Sequence, residues 1–249
     1  MVSLGVGVGV GAIARPVSRS VSQFHPQSLF SSGVVLLDFA VPNLFQDAAV
    51  QVPVIDPGDP VGRVLDGRGS TVFVPPSDAA RPTYTGGGLS FDGVDDMLTA
   101  PAQVVREVFM VVSGMSGGTG ADGVYPLFSE ATVNRNYVHV INDRRISVDG
   151  AAGATGAAAV GLAPYEPATL DGKNMTLSSG DMLSATPVII SIVIPGGVGL
   201  ANIGYLRASN TDFRNHFNLH HLIAFADQIS DEDREQVIRY LADKTGAAL

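Results

Sequence analysis

Short apolar runs separated by turns rich in Gly, Pro and Asp fill most of this chain, a pattern that predicts strands. The clearest example is the stretch 83–114, in which Leu89 and Phe91 alternate with a polar residue before a turn. That turn, Asp92-Gly93-Val94-Asp95-Asp96, contains an Asp-Gly pair that suits the positive φ of a tight reversal, and its three carboxylates favour water. A mostly apolar run at 104–112 follows it. The stretch therefore predicts strand, acidic turn and strand.

Other segments share this short, apolar, turn-bounded pattern and are predicted strands. They are 34–37, 61–65, 72–74, 125–129, 137–142, 145–149, 186–195, 201–207 and 219–226. The run 186–195 is apolar almost throughout, so both of its faces should be covered. In contrast, 42–47 is predicted as a loop or a single helical turn, and the low-complexity segment 151–161 as a surface loop.

The C-terminal segment predicts an amphipathic helix of about four turns. Ser230 is a good N-cap, and three acidic residues follow it in the first turn, where the helix dipole favours negative charge. Lys244 and then Gly246 form a typical helix end. The apolar face consists of Val237, Ile238 and Leu241.

Composition narrows the class of protein. A length of 249 residues with 45% hydrophobic residues suits one all-β domain with an ample core. The net charge of −9 argues against a nucleic-acid partner, because no basic stripe could neutralise phosphates. Cysteine is absent, which excludes disulfides and Cys-ligated zinc, and tryptophan is absent, which removes a common stacking platform for sugars.

Residues 1–29 differ from the rest of the chain. Gly and Val alternate from Gly5 to Gly11, but no Lys or Arg precedes this run, unlike in a signal peptide. The run is also far shorter than the ~20 apolar residues of a membrane-spanning helix. We interpret 1–29 as an extended arm, which is either a disordered tail or a segment that adds a strand to a partner's sheet. A cleaved signal is the third alternative.

Four sequence blocks, in this order, resemble concanavalin A-like lectin/glucanase domains. More narrowly, they are similar to the laminin-G-like jelly rolls in structural proteins of tailed bacteriophages, prophages and gene transfer agents. The blocks are Leu44-Phe45-Gln46-Asp47, Pro60-Val61-Gly62-Arg63-Val64, Arg81-Pro82-Thr83 and Phe91-Asp92-Gly93-Val94-Asp95-Asp96. The closing run and helix, 219–246, look similar as well.

The pattern and the resemblance together predict an all-β fold. It is a two-sheet antiparallel jelly-roll β-sandwich over 30–249, with a short C-terminal helix at one edge and the extended arm over 1–29. The resemblance implies a virion structural protein, a spike, fibre or decoration subunit made in the bacterial cytoplasm without a signal peptide. Its expected partners are further copies of itself, other virion proteins through 1–29 and host surface polysaccharide, with no membrane insertion.

A candidate carbohydrate site lies around the predicted hairpin at Asn142-Asp143. Tyr137 and His139 on one strand, with Arg144 and Arg145, offer a ring, an imidazole and two guanidinium groups that could line a sugar groove. The alternative is an ordinary exposed sheet face.

Two groups of residues could hold a metal ion. Asp92, Asp95 and Asp96 could ligate calcium, although an Asp-Gly turn needs no metal to explain it. We expect no other cofactor. The triplet His216, His220 and His221 suggests a zinc site. The apolar residues around the triplet instead favour a strand in which these rings have polar partners.

No catalytic residues are predicted, and the chain is expected not to be an enzyme. Glucanases of the resembled superfamily carry two Glu and an Asp on one strand at alternating spacing, whereas the glutamates here are dispersed. Neither a Gly-x-Ser-x-Gly elbow nor a phosphate-binding loop is present. A purely architectural virion subunit, or a polysaccharide-degrading enzyme, are the alternatives to a glycan-binding one.

Overall fold

A computed structural model of the chain describes residues 26–29, 34–39, 43–49, 51–68, 70–116, 124–130, 137–141, 146–149, 156–162, 166–168, 185–208, 211–247 and 249. Within these residues the chain forms strands joined by turns, with one α-helix near its C-terminus. The elements are β1 (Val34–Asp38), β2 (Leu44–Phe45), β3 (Arg63–Leu65), β4 (Val72–Phe73), β5 (Thr83–Tyr84), β6 (Leu89–Asp92), β7 (Leu98–Ser116), β8 (Val124–Ser129), β9 (Tyr137–Ile141), β10 (Ile146–Asp149), β11 (Gly156–Val160), β12 (Glu166–Ala168), β13 (Val188–Ile203), β14 (Tyr205–Ala208), β15 (Thr211–Arg214), β16 (His216–Phe225) and α1 (Asp231–Thr245).

The predicted all-β sandwich with antiparallel sheets and a C-terminal helix is confirmed. The two longest strands, β7 and β13, pair with each other along most of their length. On the other side of β13, the neighbouring strand changes from β11 to β8 along the strand. Residues 190–193 of β13 also pair with β11, and residues 202–203 pair with β8. The register shifts between Val193 and Val198, around Pro195-Gly196-Gly197.

These shared strands define two layers. The first, here called the helix-side layer, contains β12, β11, the first part of β13, the second part of β7 and β16, with β1, β6 and β5 beyond it. The second layer contains β10, β9, β8, the second part of β13 and the first part of β7. Two small sheets, β2–β3–β4 and β14–β15, accompany them.

Side chains of both layers share one core, as alternation along each strand requires. Met110 and Ile190 of the helix-side layer lie in the same buried cluster as Val138 and Phe128 of the second layer. The layers approach so closely that a Cβ on Gly204 would lie 2.8 Å from the ring of Phe91, a distance that only glycine accommodates.

Helix α1 covers the opposite face of the helix-side layer, here called its outer face. Val237, Ile238 and Leu241 pack against sheet residues that include Phe109, Ile223 and Phe225 in a second buried cluster. The helix therefore lies on a face of the sandwich and not at its edge, which corrects that part of the prediction. It needs the face because its apolar stripe must be buried against a broad apolar surface.

The helix caps are as predicted. Ser230 accepts a hydrogen bond from the backbone N–H of Asp233 and adopts an extended conformation. Gly246 is left-handed with φ of 70° and donates its N–H to the carbonyl of Ala242.

The strand predicted at 186–195 is covered on both faces, as expected, because Ile190 lies in the sandwich core and Ile189 lies under the helix.

Two local predictions were wrong. Leu44 and Phe45 form β2, held by β3, although they were predicted as a loop or helical turn. Residues 156–160, predicted as part of a surface loop, form β11, because Ala158 and Ala159 are small enough to be buried beside β13. Residues 151–155 lie outside the described residues.

The arm predicted over 1–29 lies outside the described residues up to residue 25. Its last four residues, Pro26–Leu29, form a 3₁₀ turn. Leu29 packs against the cluster beneath α1, so this turn contacts the folded domain. An extended arm over 1–25 stays a prediction.

An ion pair of Glu107 and Arg234 connects the helix to the sheet. Glu107, in the middle of β7, is 0% exposed, and the Arg234 side chain is 13% exposed. Arg234 Nε donates to Glu107 Oε1 at 2.6 Å and Nη2 donates to Oε2 at 3.2 Å. The backbone N–H of Ile229 donates to the same carboxylate at 3.1 Å. One carboxylate thus holds both α1 and the linker that precedes it.

Replacing Glu107 by Gln should lower the free energy of unfolding by up to about 3–5 kcal/mol, because the mostly buried Arg234 guanidinium would keep only the exposed carboxylate of Asp231 as a counter-charge. Urea or thermal unfolding measures this loss. The exposed Glu235–Arg239 pair on the same helix, 2.6 Å apart, is the matched control, and Glu235→Gln should cost less than about 1 kcal/mol. Equal losses for the two variants would contradict a special role for the buried pair.

Candidate functional site

A polar surface lies on the outer face of the helix-side layer, beyond the end of the helix. His216 of β16 is the cross-strand partner of Asp92 on β6 and of Ser116 on β7. Asn218 in turn is the partner of Ser90 and Ser113. Direct cross-strand partners project from the same face of a sheet, so these residues form two polar rows across three strands.

Alternation explains why these rows face outward. Phe217 and Leu219, which flank Asn218 in sequence, are fully buried in the sandwich core, and Phe217 stacks on Phe91 with ring centroids 4.8 Å apart. With a period of two, the residues between them must point to the opposite side. We call this surface the polar face. Its residues are Thr83, Ser90, Asp92, Ser113, Ser116, His216, Asn218 and His220.

The polar face is accessible and carries hydrogen-bonding groups in a fixed arrangement. His216, Asp92 and Ser116 are exposed, and Asn218 is half-buried. The Ser116 hydroxyl lies 2.8 Å from His216 Nδ1. The hydroxyl of Ser113, a residue that is 1% exposed, lies 2.8 Å from His220 Nε2. Burial lowers the pKa of His220, so this ring favours its neutral form.

The acidic turn between β6 and β7 borders this face at Asp92. Gly93 has φ of 74°, as the predicted reversal requires. Asp92 Oδ1 accepts the backbone N–H of Val94 at 2.7 Å, and Asp96 Oδ2 accepts the N–H of Asp92 at 2.8 Å. Backbone donors within the turn therefore position two of its three carboxylates.

The electrostatics of the turn centre on Asp96, which is 5% exposed. Burial, reinforced by the neighbouring charges of Asp92 and Asp95, raises the pKa of Asp96 to about 7, against opposing effects of the Asp92 N–H and Arg214. The guanidinium of Arg214 lies 4.1 Å from the ring centroid of Tyr205 on the β14–β15 hairpin. The hairpin thus supplies a positive charge beside an acidic turn.

Calcium ligation by the turn stays a prediction. Asp92, Asp95 and Asp96 each offer a carboxylate oxygen, and these atoms lie within 4.8 Å of one another. Calcium takes 6–8 oxygen ligands, so three carboxylates would supply part of a site. The hydrogen bonds within the turn, however, explain the same geometry without a metal.

The predicted sugar groove is only partly described. Arg144 and Arg145 lie outside the described residues, and of Tyr137 the structure describes the backbone in β9. β9 and β10 pair as the predicted hairpin, with Val140 opposite Ile146. His139 is 3% exposed, and burial lowers its pKa to about 4. A buried, neutral ring offers little surface to a sugar, so His139 does not have the exposed position that the groove required.

The three histidines of β16 have polar neighbours, as predicted, and point to different places. His216 and His220 lie beside serines of β7 on the polar face. His221 is buried under α1, with its Nδ1 4.0 Å from Asp38 Oδ1 and its ring against Tyr240. Within the described part of the chain, these histidines do not form a group of potential ligands close enough for one metal ion.

The polar face was missed in the sequence, although a signal for it was present. The segment His216-Phe217-Asn218-Leu219 alternates polar and apolar residues, as does Leu89-Ser90-Phe91-Asp92. Each alternation indicates a half-exposed strand. What the sequence did not contain was the pairing of β6, β16 and β7, which brings polar positions from distant segments side by side.

Comparisons with known proteins find solved structures that are similar to this chain at low identity. One similar solved structure is the Trypanosoma rangeli sialidase, with 9% identity, a TM-score of 0.44, and coverage of 87% of this chain and 33% of that one. Another is a mutant of this sialidase that displays trans-sialidase activity, with 10% identity, a TM-score of 0.43, and coverage of 76% and 32%. The chain therefore spans about a third of the length of these proteins. No family model and no curated protein matches it.

These comparisons correct one prediction. The chain was expected not to be an enzyme, whereas both similar structures are enzymes by name, so that expectation was wrong and is withdrawn. At TM-scores below 0.5 the similarity transfers no catalytic residue to this chain. The narrower resemblance to phage jelly rolls is not among the findings of these comparisons.

No helix in the described part of the chain has the length and apolar character needed to cross a bilayer.

The acidic turn predicts a specific pH dependence of stability. Because the pKa of Asp96 is about 7 in the folded protein and 3.8 as its ordinary value, the folded state retains a proton that the unfolded state loses between these pH values. Its contribution to stability is complete below pH 4 and is lost as pH rises through 7. Asp96→Asn keeps an oxygen acceptor for the Asp92 N–H and removes the titration.

Thermal unfolding from pH 4 to 8 measures this effect as a difference between Asp96→Asn and the unsubstituted protein. The variant should become relatively more stable as pH rises, with most of the change between pH 4 and 7. Asp95→Asn, on the same turn but with a more exposed side chain, is the control and should show a smaller pH dependence. A constant difference for Asp96→Asn would show that Asp96 titrates normally.

Proposed function

We propose that this chain is a structural subunit of a virion appendage, a spike, fibre or decoration protein, whose β-sandwich binds host surface polysaccharide through the polar face. The observation that carries the binding proposal is the accessible row of Asp92, His216 and Ser116 beside the row of Ser90, Asn218 and Ser113. Carboxylate, imidazole, hydroxyl and amide groups can donate to and accept from the hydroxyls of a sugar. Because they project from paired strands, their spacing is fixed before a ligand arrives, which reduces the entropic cost of binding.

The assignment to a virion rests on the ordered sequence blocks and on the unusual N-terminal segment. Of the four blocks that resemble phage jelly rolls, two include β2 and residues of β3 in the β2–β3–β4 sheet. The third ends at the first residue of β5, and the fourth covers the end of β6 and the turn after it. The Gly-Val alternation from Gly5 to Gly11 suits an arm over 1–29 that pairs with a neighbouring subunit or another virion protein. Appendages of this kind are symmetric, so the subunit should form a homo-oligomer.

A purely architectural role without glycan binding is the second candidate. Tryptophan is absent from the sequence, and the large aromatic side chains of the described core are fully buried. Sugar rings commonly stack on exposed aromatic rings, and this surface does not provide them among its residues. Under this candidate the polar face would be ordinary solvated sheet.

Substitution of the polar face distinguishes the two candidates. His216→Ala with Asn218→Ala should weaken binding to host capsule or lipopolysaccharide about tenfold or more, because each lost hydrogen bond contributes roughly 0.5–1.5 kcal/mol. Calorimetric titration or a glycan array measures the affinity. Glu232→Ala with Arg239→Ala, on the exposed surface of α1, is the control and should leave it unchanged. If no host polysaccharide binds to the unsubstituted protein, the architectural candidate is favoured.

Particle association tests the virion assignment separately. We expect the full-length chain to co-sediment with purified particles and to form a symmetric oligomer in solution. Deletion of residues 1–25 should release it from particles while the β-sandwich keeps its thermal unfolding transition, since the sandwich strands and α1 all lie C-terminal to these residues. A full-length chain that is monomeric and absent from particles would contradict the assignment.

A further inference from the structure

We propose that the glycan bound at the polar face is uncharged or carries amino groups, and that sugars with carboxylate or sulfate groups are discriminated against. This inference rests on the proposed function and adds the chemical class of the ligand. It follows from the charges at the border of the polar face and from the contacts that Arg214 makes beside the acidic turn.

Negative charge enters the polar face at its end nearest the acidic turn. Asp92 belongs to the face itself and is the cross-strand partner of His216, the most central exposed group of the row. Asp95 and Asp96 follow within the same turn, with carboxylate oxygens of the three residues within 4.8 Å of one another. The charge comes mainly from Asp92 and Asp95, because the raised pKa of Asp96, about 7, leaves it partly protonated at neutral pH. A ligand that bonds to His216 and Ser116 therefore lies next to a concentration of carboxylates.

Arg214 is close enough to the turn to oppose the rise in the pKa of Asp96, but its guanidinium is engaged by other groups. Arg214 Nη1 lies 2.8 Å from the sulfur of Met97, and its guanidinium lies over the ring of Tyr205. These contacts hold the guanidinium against Met97 and the hairpin. Among the residues that form the polar face there is no Lys or Arg.

The imidazoles do not reverse this balance. Burial lowers the pKa of His220, which therefore contributes a neutral ring at neutral pH. His216 can donate or accept through its second nitrogen, which suits the hydroxyl of a sugar as well as it suits water. A net charge of −9 on the whole chain further repels a polyanion at long range.

Matched pairs of polysaccharides test this inference. Polygalacturonate and its fully methyl-esterified form share one backbone and one linkage and differ in the charge of the carboxyl group, and chitin oligomers before and after deacetylation differ in the amino group. At low ionic strength we expect the unsubstituted protein to bind the methyl-esterified form or the chitin-derived oligomers at least about tenfold more tightly than polygalacturonate. The preference should shrink at 0.5 M salt, where the screening length falls to about 4 Å.

A double variant that removes two carboxylate charges of the acidic turn tests the same inference. Asp92→Asn with Asp95→Asn keeps the shape of both side chains and should reduce the preference against polygalacturonate about tenfold. Glu232→Gln with Asp243→Asn on α1 changes the net charge by the same amount far along the chain from the turn, and should leave the preference unchanged. Thermal unfolding checks that both double variants are folded.

Each outcome decides between the proposals. Tight binding of neutral or amino glycans, with a preference that the turn variant removes and the helix variant keeps, supports both. Equal or tighter binding of polygalacturonate through the polar face overturns the charge inference and leaves glycan binding in place. Failure of every probe and of host polysaccharide to bind overturns glycan binding and the charge inference with it.

Discussion

The carboxylate of Glu107 is the constraint on which the arrangement of helix and sheet depends. It lies in the centre of the helix-side layer, between β13 and β16, where no water can solvate it. A buried carboxylate requires a counter-charge and hydrogen-bond donors, and Arg234 with the Ile229 N–H supplies both. Because these donors come from α1 and from the linker before it, satisfying one charge fixes where the chain leaves the sheet and where the helix begins.

That position of the helix divides the outer face of the sheet into two parts. Toward Phe225 the face is apolar and covered by α1, and toward His216 it is polar and accessible. The same two strands, β7 and β16, contribute to both parts. The change of character occurs at the bulge around His220, where the register shifts and the ring meets Ser113. A bulge is a common way to re-aim side chains along a strand, and here it separates packing from surface chemistry.

Local chemistry was sufficient to predict much of the fold. The helix was predictable because its N-cap, acidic first turn and left-handed glycine all act within a few residues. The acidic turn was predictable for the same reason. The strand β11 was not, because an alanine-rich run has little strand preference and is fixed only by its pairing with β13. The position of the helix was not predictable, because it depends on the ion pair of Glu107 and Arg234, two residues that are far apart in the sequence.

The candidate site shows the same limit more sharply. Tyr137, His139, Arg144 and Arg145 were grouped because they are close in sequence, and His139 proved to be buried. The polar face combines residues from 83 to 92, from 113 to 116 and from 216 to 220, and the spacing within any one segment does not indicate the others. Strand pairing alone assembles them, and pairing partners are set by the topology of the whole sheet.

The sharing of β7 and β13 between the layers has a mechanical consequence. Neither layer is a separable lobe, since each contains part of the same two hydrogen-bonded strands. Peeling one layer from the other would break the longest strand ladder in the described structure, so the sandwich should resist shear as a single unit and lose its order in one cooperative step.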